Sequence, residues 1–267
     1  MLRDITVGQY LPLSSPVHRM DPRFKLIASM LYIVSLFFIN SFIGYGVVLA
    51  FLALTISVSK IPYKYLLRGL KPVLMIIIFA FGINVFLTPG TELFRFGFIK
   101  ITHEGVRQAF FMASRLILLI IGTSMLTLTT SPIELTDGLE RLLNPFKKLG
   151  LPAHELAMMM TIALRFIPTL LEETDKIMKA QMARGADFES GNLIKRAKSL
   201  IPLLVPLFIS AFRRADELAM AMEARCYRGG ENRTRMKVLQ FTHLDLIGVF
   251  VFMLYWGGLI AVRMWVS

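Results

Sequence analysis

Cysteine is nearly absent from this chain. The single thiol, Cys226, excludes an intramolecular disulfide and a cysteine-based zinc cluster. Histidine is scarce and dispersed. His18, His103, His154 and His243 form no His-Glu-x-x-His pair and no metal-ligand spacing. No Gly-x-x-x-x-Gly-Lys-Ser/Thr occurs, so the chain brings no phosphate-cradling loop of its own. No two aspartates fall within one helical turn, which leaves a metal-dependent membrane phosphotransferase without its ligand cluster. No Ser-His-Asp set is suggested either, and no cofactor is expected. The N-terminal 25 residues contain Arg3, Asp4, His18, Arg19, Asp21, Arg23 and Lys25 and lack an apolar core, so they do not read as a cleavable signal. Charge is also sparse. Only 18% of the 267 residues are charged, against about 25% in an ordinary soluble domain.

What fills the space is apolar. Hydrophobic residues make up 55% of the chain, and they are clustered. Leu26–Ser59 is a run of 34 residues without a charge, Pro72–Thr91 one of 20, Leu116–Ile133 one of 18 and Leu246–Val262 one of 17. A bilayer core needs about 20 apolar residues per helix. The first run is long enough for two short spans if the chain turns near Asn40, Ser41, Gly44, Tyr45 and Gly46. Five spans are therefore expected, at 24–41, 43–59, 72–90, 106–129 and 244–262.

With those spans the positive charges sort by side. The N-terminal segment carries four Lys and Arg, the turn after span two another four, and residues 130–243 carry seventeen. The opposite side holds Arg95, Lys100, Arg107 and Arg263. Cytoplasmic loops carry the Lys/Arg excess, so the N-terminus and the long segment are expected in the cytoplasm. The net charge of +12 then follows from membrane orientation and needs no nucleic-acid partner. Arg115 falls inside span four. It either snorkels to the outer interface or makes an interior contact.

Residues 130–243 read as helical and amphipathic. Ser131-Pro132-Ile133-Glu134 is a helix start: a capping serine, a proline in the first turn and a glutamate that completes a capping box. That helix breaks near Asn144-Pro145. A second helix is expected over Ala153–Ala183, kinked at Pro168 and stopped at Gly185. A third runs from about Leu193 to Cys226, with Pro202 and Pro206 in its first half. Its uncharged stretch Ser199–Phe212 is too short for an ordinary span and suits a buried, interfacial or re-entrant helix. Thr242 and Asp245 should cap the last span.

The two long helices end alike. Ala180-Gln181-Met182-Ala183-Arg184-Gly185 and Ala221-Met222-Glu223-Ala224-Arg225-Cys226 superpose on a shift of 41 residues. Alanines three apart leave a flat helix face that another backbone can approach. Arginine suits the negative end of the helix dipole, and its planar fork can grip a carboxylate. One such end reads as an arginine capping its own helix. Two, each closing a long amphipathic helix, point to two matching sockets on a pair of related partners.

On these residues the chain resembles the transmembrane T component of energy-coupling-factor (ECF) transporters, importers of vitamins and transition-metal ions. The matching features are Asp21-Pro22-Arg23-x-Lys25, Thr129-Thr130-x-Pro132, Leu164-Arg165-Phe166-Ile167-Pro168 and the two arginine ends. They span essentially the whole chain. Gly8-Gln9-Tyr10 and Ser15-Pro16-x-His18-Arg19 resemble members shared by several substrate-binding subunits. The family's Ala-Arg-Gly holds at 183–185 but reads Ala-Arg-Cys at 224–226.

The resemblance implies an all-α membrane protein of about five spans plus long cytoplasmic coupling helices. Residues 1–130 would form a membrane region of four spans, 131–241 the coupling helices and 242–267 the last span. The chain would not be an enzyme. Two ABC-type ATPase subunits would dock on Ala183, Arg184, Gly185, Ala224, Arg225 and Cys226. A substrate-binding membrane subunit, interchangeable in shared systems, would ride on the same chain in a bacterial or archaeal cell membrane. The chain's own sixteen methionines add one candidate contact for that subunit, Met158, Met159 and Met160. Core packing is the alternative for these three. A self-sufficient secondary transporter would show inverted repeats and broken midplane helices, and the spans show no such halves.

Overall fold

The computed structural model describes residues 10–96, 99–188, 192, 194, 198–229 and 239–266. Gly8 and Gln9 of the N-terminal motif, and Leu193, the expected start of the third cytoplasmic helix, lie outside them. The chain divides into two compact units. One holds Gly8–Leu139 and Val238–Ser267, the other Glu140–Lys237.

The first unit is a helical bundle. Its elements are α1 (Pro16–Arg19), α2 (Pro22–Phe37), α3 (Phe42–Ser59), α4 (Tyr63–Leu70), α5 (Leu74–Leu87), α6 (His103–Thr129), the start of α7 (Pro132–Leu143) and, from the C-terminal segment, α10 (His243–Val266). Each start has a local cause. Asp21 caps α2 by accepting the Arg23 N–H at 2.8 Å, with Pro22 in the first turn. Ser41 caps α3 through the Gly44 N–H at 3.2 Å. Ser131 and Glu134 make the reciprocal capping box expected at α7, each side chain accepting the other's backbone N–H at 3.3 Å.

The spans differ from expectation in two places. α2 stops at Phe37 after 16 residues, about 24 Å of helix, short of the ~30 Å hydrocarbon core. The expected third span is a bent pair, α4 and α5, meeting at 58°. Pro72 sits at the break, where it has no N–H to continue the helix. Four helices (α3, α6, α10 and, in the second unit, α8) are long and apolar enough to cross a membrane, and the bent pair can make a fifth. Many side chains of the bundle point outward without cover, among them Met75, Phe79, Leu87 and Met253. Exposed apolar surface on this scale suits lipid, not water. The chain is a multi-pass, all-α membrane protein, with one short hairpin among the described residues.

That hairpin pairs β1 (Glu92–Phe96) antiparallel with β2 (Ile99–Thr102) between α5 and α6. It was not expected. Its signal is the β-branched and aromatic content of Leu93-Phe94-Arg95-Phe96 and Ile99-Lys100-Ile101-Thr102, in the loop between two apolar runs.

The core of the bundle is aromatic. Tyr32, Leu36, Tyr45, Val48, Leu52, Leu118, Phe252 and Tyr255 are buried together from α2, α3, α6 and α10. Phe51 stacks on Tyr255 with ring centroids 4.4 Å apart. Three hydroxyls of this aromatic core are satisfied: Tyr32 donates to the Leu118 carbonyl at 2.9 Å, and Ser35 shares a 2.6 Å hydrogen bond with Tyr255. Gly122 lets α6 lie directly against the Tyr32 ring, which a Cβ there would strike.

The second unit carries a 3-10 turn (Asn144–Leu149), α8 (Ala153–Ala183) and α9 (Ile201–Ala224). Gly150, at φ +87, closes the turn. Pro168 lies within one uninterrupted α8. Pro202 stands in the first turn of α9 and so marks its start, while Pro206 is accommodated inside.

Candidate functional site

The two arginine ends have the same backbone. At the end of α8, Arg184 is the C-cap and Gly185 takes a left-handed conformation at φ +87. The Gly185 N–H donates to the Met182 carbonyl and the Ala186 N–H to the Gln181 carbonyl, both at 2.9 Å. This is a Schellman ending, which satisfies carbonyls the helix would leave bare. At the end of α9, Arg225 is the C-cap. The Cys226 N–H donates to Glu223 O at 2.8 Å and the Tyr227 N–H to Met222 O at 3.0 Å. Cys226 takes the left-handed place at φ +53. The departure from Ala-Arg-Gly therefore leaves the motif's shape intact, at the strain of a side chain where glycine is preferred.

Arg184 and Arg225 are exposed, as are Ala180, Ala183, Gly185, Ala221, Ala224 and Cys226. Neither guanidinium has a hydrogen-bond or ion-pair partner among the described residues. Each is an uncommitted bidentate donor beside a flat alanine face.

The helices that carry them run antiparallel. Gln181 near the end of α8 donates to the Pro202 carbonyl at the start of α9 at 3.5 Å. In the middle, Glu173 accepts hydrogen bonds from Ser210 at 2.5 Å and Arg214 at 3.2 Å. At the start of α8, Met158 Sδ accepts from the Tyr227 hydroxyl at 3.0 Å. The pairing places the two arginine caps at opposite ends of the pair. At 1.5 Å per residue they stand roughly 35 Å apart along it.

The expected methionine contacts separate. Met158 is half-buried on Tyr227, whereas Met159 and Met160 are exposed. A larger apolar stripe lies on α9, where Ile201, Leu204, Val205, Phe208, Ile209 and Phe212 are all exposed at helical spacing. It occupies the uncharged stretch singled out in the sequence.

The N-terminal motif is a structural clasp in the first unit. Asp21 holds the Arg23 guanidinium in a fork, with the shortest contact 2.7 Å. Lys25 is buried and donates to the His18 and Thr129 carbonyls, both at 3.1 Å. Asp245, fully buried, accepts the Asp21 N–H and the Thr242 N–H at 2.7 Å each. It pins the start of α10 to the start of α2, a pairing 224 residues apart in sequence that no local pattern announces. The only hint was an acid opening an otherwise apolar segment. Arg115 resolves to an interior contact: it donates to the Ile39 carbonyl at 3.2 Å and lies over the Phe37 ring. Among the described residues no group of three His, Cys, Asp or Glu side chains can hold a metal ion.

A family model described as "CbiQ: Cobalt transport protein" matches residues 13–236. The energy-coupling factor transporter transmembrane protein EcfT of Clostridium kluyveri is 61% identical over 249 residues, covering 92% of each chain. That of Ruminiclostridium cellulolyticum is 58% identical over 96% of this chain and 97% of its own. That of Bacillus subtilis is 51% identical over 92% of this chain and 93% of its own. With a match of that length and relatives of that likeness, the chain belongs to the family of transmembrane T components of energy-coupling-factor transporters.

Proposed function

We propose that this chain is the mechanical link of an ECF-type importer. Two ABC-type ATPase subunits each receive one arginine-capped helix end. The chain passes their motion to a substrate-binding membrane subunit that carries a micronutrient, a vitamin on our reading, across the bilayer. The chain performs no hydrolysis itself. The arginine ends and the N-terminus face the cytoplasm, the side that the Lys/Arg excess favours.

One observation carries this reading. Two uncommitted guanidinium groups crown the same Schellman ending at opposite ends of an antiparallel pair. Antiparallel copies of one motif are related by an approximate two-fold axis across the pair. A two-fold pair of like subunits, the commonest symmetry in oligomers, offers two equal sockets in the matching arrangement. A carboxylate in each socket would be gripped bidentately, and the exposed alanines admit it closely. The apolar stripe of α9, with Met159 and Met160, is surface for the substrate-binding subunit, whose own membrane face is apolar.

Charge reversal tests the docking. Arg184→Glu and Arg225→Glu should each reduce uptake while the chain still inserts in the membrane, and the double variant should lose copurification of the ATPases. Full uptake by the double variant would refute the reading. Cys226 offers a second measure. Its labelling by a thiol reagent should fall when the ATPases bind, and equal labelling in both states would show the second end undocked.

A further inference from the structure

The 41-residue shift that superposes the two ends also superposes the charges behind them. Glu172-Glu173 of α8 falls on Arg213-Arg214 of α9. Glu173 lies 11 residues before Arg184, and Arg214 lies 11 residues before Arg225. These two equivalent positions meet: Arg214 Nη2 donates to Glu173 Oε2 at 3.2 Å, while Ser210 donates to the other carboxylate oxygen. On an approximate two-fold axis, each position faces its own equivalent. Like charges there would repel. The sequence places opposite charges at that point instead.

We infer that Glu173, with Arg214 and Ser210, is the positioning pivot of an equal-armed beam whose ends are Arg184 and Arg225. Each arm is 11 residues, about 16 Å of helix. The pivot sets the register of the two antiparallel helices, and the register sets the distance between the tips. A slide of one turn along the pair would change the distance between the tips by about 5.4 Å, enough to unseat an arginine from a carboxylate. Two other contacts between the two helices, among the described residues, fix register less sharply. Gln181 reaches Pro202 only at 3.5 Å, and the Tyr227–Met158 bond is to a thioether, a weak acceptor. Glu173 is half-buried, which shields the pair partly from water. Its role in transport rests on the docking reading. The register itself does not.

The test reads the distance directly. Cys226 is the only native thiol, so Ala186→Cys gives a doubly spin-labelled chain with one label beside each tip. Pulsed electron resonance on the full chain in lipid nanodiscs should show one narrow distance. Glu173→Gln and Arg214→Gln should each broaden it. In the unlabelled complex they should lower substrate imported per ATP hydrolysed by up to about fivefold, the Boltzmann factor of an exposed ion pair near its upper strength. Capture of the ATPases should be unchanged. The exchange Glu173→Arg with Arg214→Glu should restore both the narrow distance and the coupling ratio, which a merely structural defect would not do. An unaltered distance distribution in both single variants, or an exchange variant as broad as they are, would overturn the pivot. If the tip reversals leave ATPase capture intact while the distance still responds at Glu173, docking fails and the pivot stands.

Discussion

The two units treat the charged residues of their sequence motifs in opposite ways. In the first, the charged residues of the Asp21-Pro22-Arg23-x-Lys25 motif are spent on the chain itself, Asp21 on Arg23 and Lys25 on two carbonyls, and Asp245 joins them through two backbone N–H groups. In the second, Arg184 and Arg225 end well-formed helices and bind nothing among the described residues. A charge that is buried and satisfied holds a fold. A charge that is presented and unsatisfied is available to a partner. Both kinds lie in motifs of the same family, and geometry separates the charges spent on the chain from those left presented.

That contrast can be broken most forcefully at Asp245. Removing its carboxylate by Asp245→Ala strands the buried Asp21 N–H and frees the start of α10. A buried donor left without its charged acceptor costs about 3 kcal/mol. Thermal unfolding of the purified chain in detergent should show a large fall in Tm, whereas Arg225→Ala should stay within about 0.5 kcal/mol of the parent. Equal shifts in the two variants would erase the distinction between the regions.

A smaller effect is expected from packing within the bundle. Gly122→Ala drives a methyl group into the Tyr32 ring, which is held by its bond to Leu118. Overpacking of this kind costs about 2 kcal/mol. Gly257→Ala is the control, since a Cβ there meets nothing. It should be neutral or stabilising by up to about 1 kcal/mol. The same unfolding assay separates the two.

Next comes the difference between the tips. Gly185 and Cys226 occupy the same left-handed position, and only one is glycine. Gly185→Ala should cost about 1 kcal/mol, and Cys226→Gly should recover somewhat less than that, because glycine also loosens the unfolded chain. Amide hydrogen exchange at Ala186 and Tyr227 reads each ending separately. Faster exchange at Tyr227 in the Cys226→Gly variant would show that the cysteine is not strained.

Much of this was legible in the sequence, for reasons that are local. The capping box Ser131/Glu134, the limits of α8 at Ala153 and Ala183, and the stop at Gly185 depend on residues within one turn of each other. What was not legible was long-range or marginal. The end of α2 at Phe37, ahead of the expected limit at 41, depends on where the turn toward Ser41 begins. Qualification of α8 as apolar enough to span arises from its first half, residues 156–171, where Arg165 is the only charge, although Glu172, Glu173, Asp175, Lys176 and Lys179 follow. The repeated Ala-x-x-Ala-Arg was visible as a pattern. That its two copies point in opposite directions follows only from the pairing of residues 21 to 69 positions apart, such as Gln181 with Pro202 and Met158 with Tyr227.

The smallest predicted effect tests whether the clasp responds to protons. His18 Nε2 donates to the Leu11 carbonyl at 3.0 Å, so its Nδ1, 2.6 Å from the Ser15 hydroxyl, is the acceptor of that hydrogen. This pairing suits the neutral imidazole. Burial pushes its pKa below the usual 6.5, and the nearby Lys25 ammonium adds to this against the pull of the Leu11 and Leu128 carbonyls and Glu134. A group whose folded pKa is depressed stabilises the fold fully above its unfolded value and loses that contribution as pH falls through the folded one. Stability from His18 should therefore be constant above about pH 6.5 and decline below it. The loss should be modest, because the ring is partly open to solvent screening. His18→Gln keeps an amide N–H for Leu11 and an oxygen for Ser15 but cannot titrate. Comparing Tm at pH 7.5 and pH 5.5, the variant should fall less than the parent. Identical slopes would assign the acid sensitivity to other groups and would leave His18 as a spacer between Leu11 and Ser15.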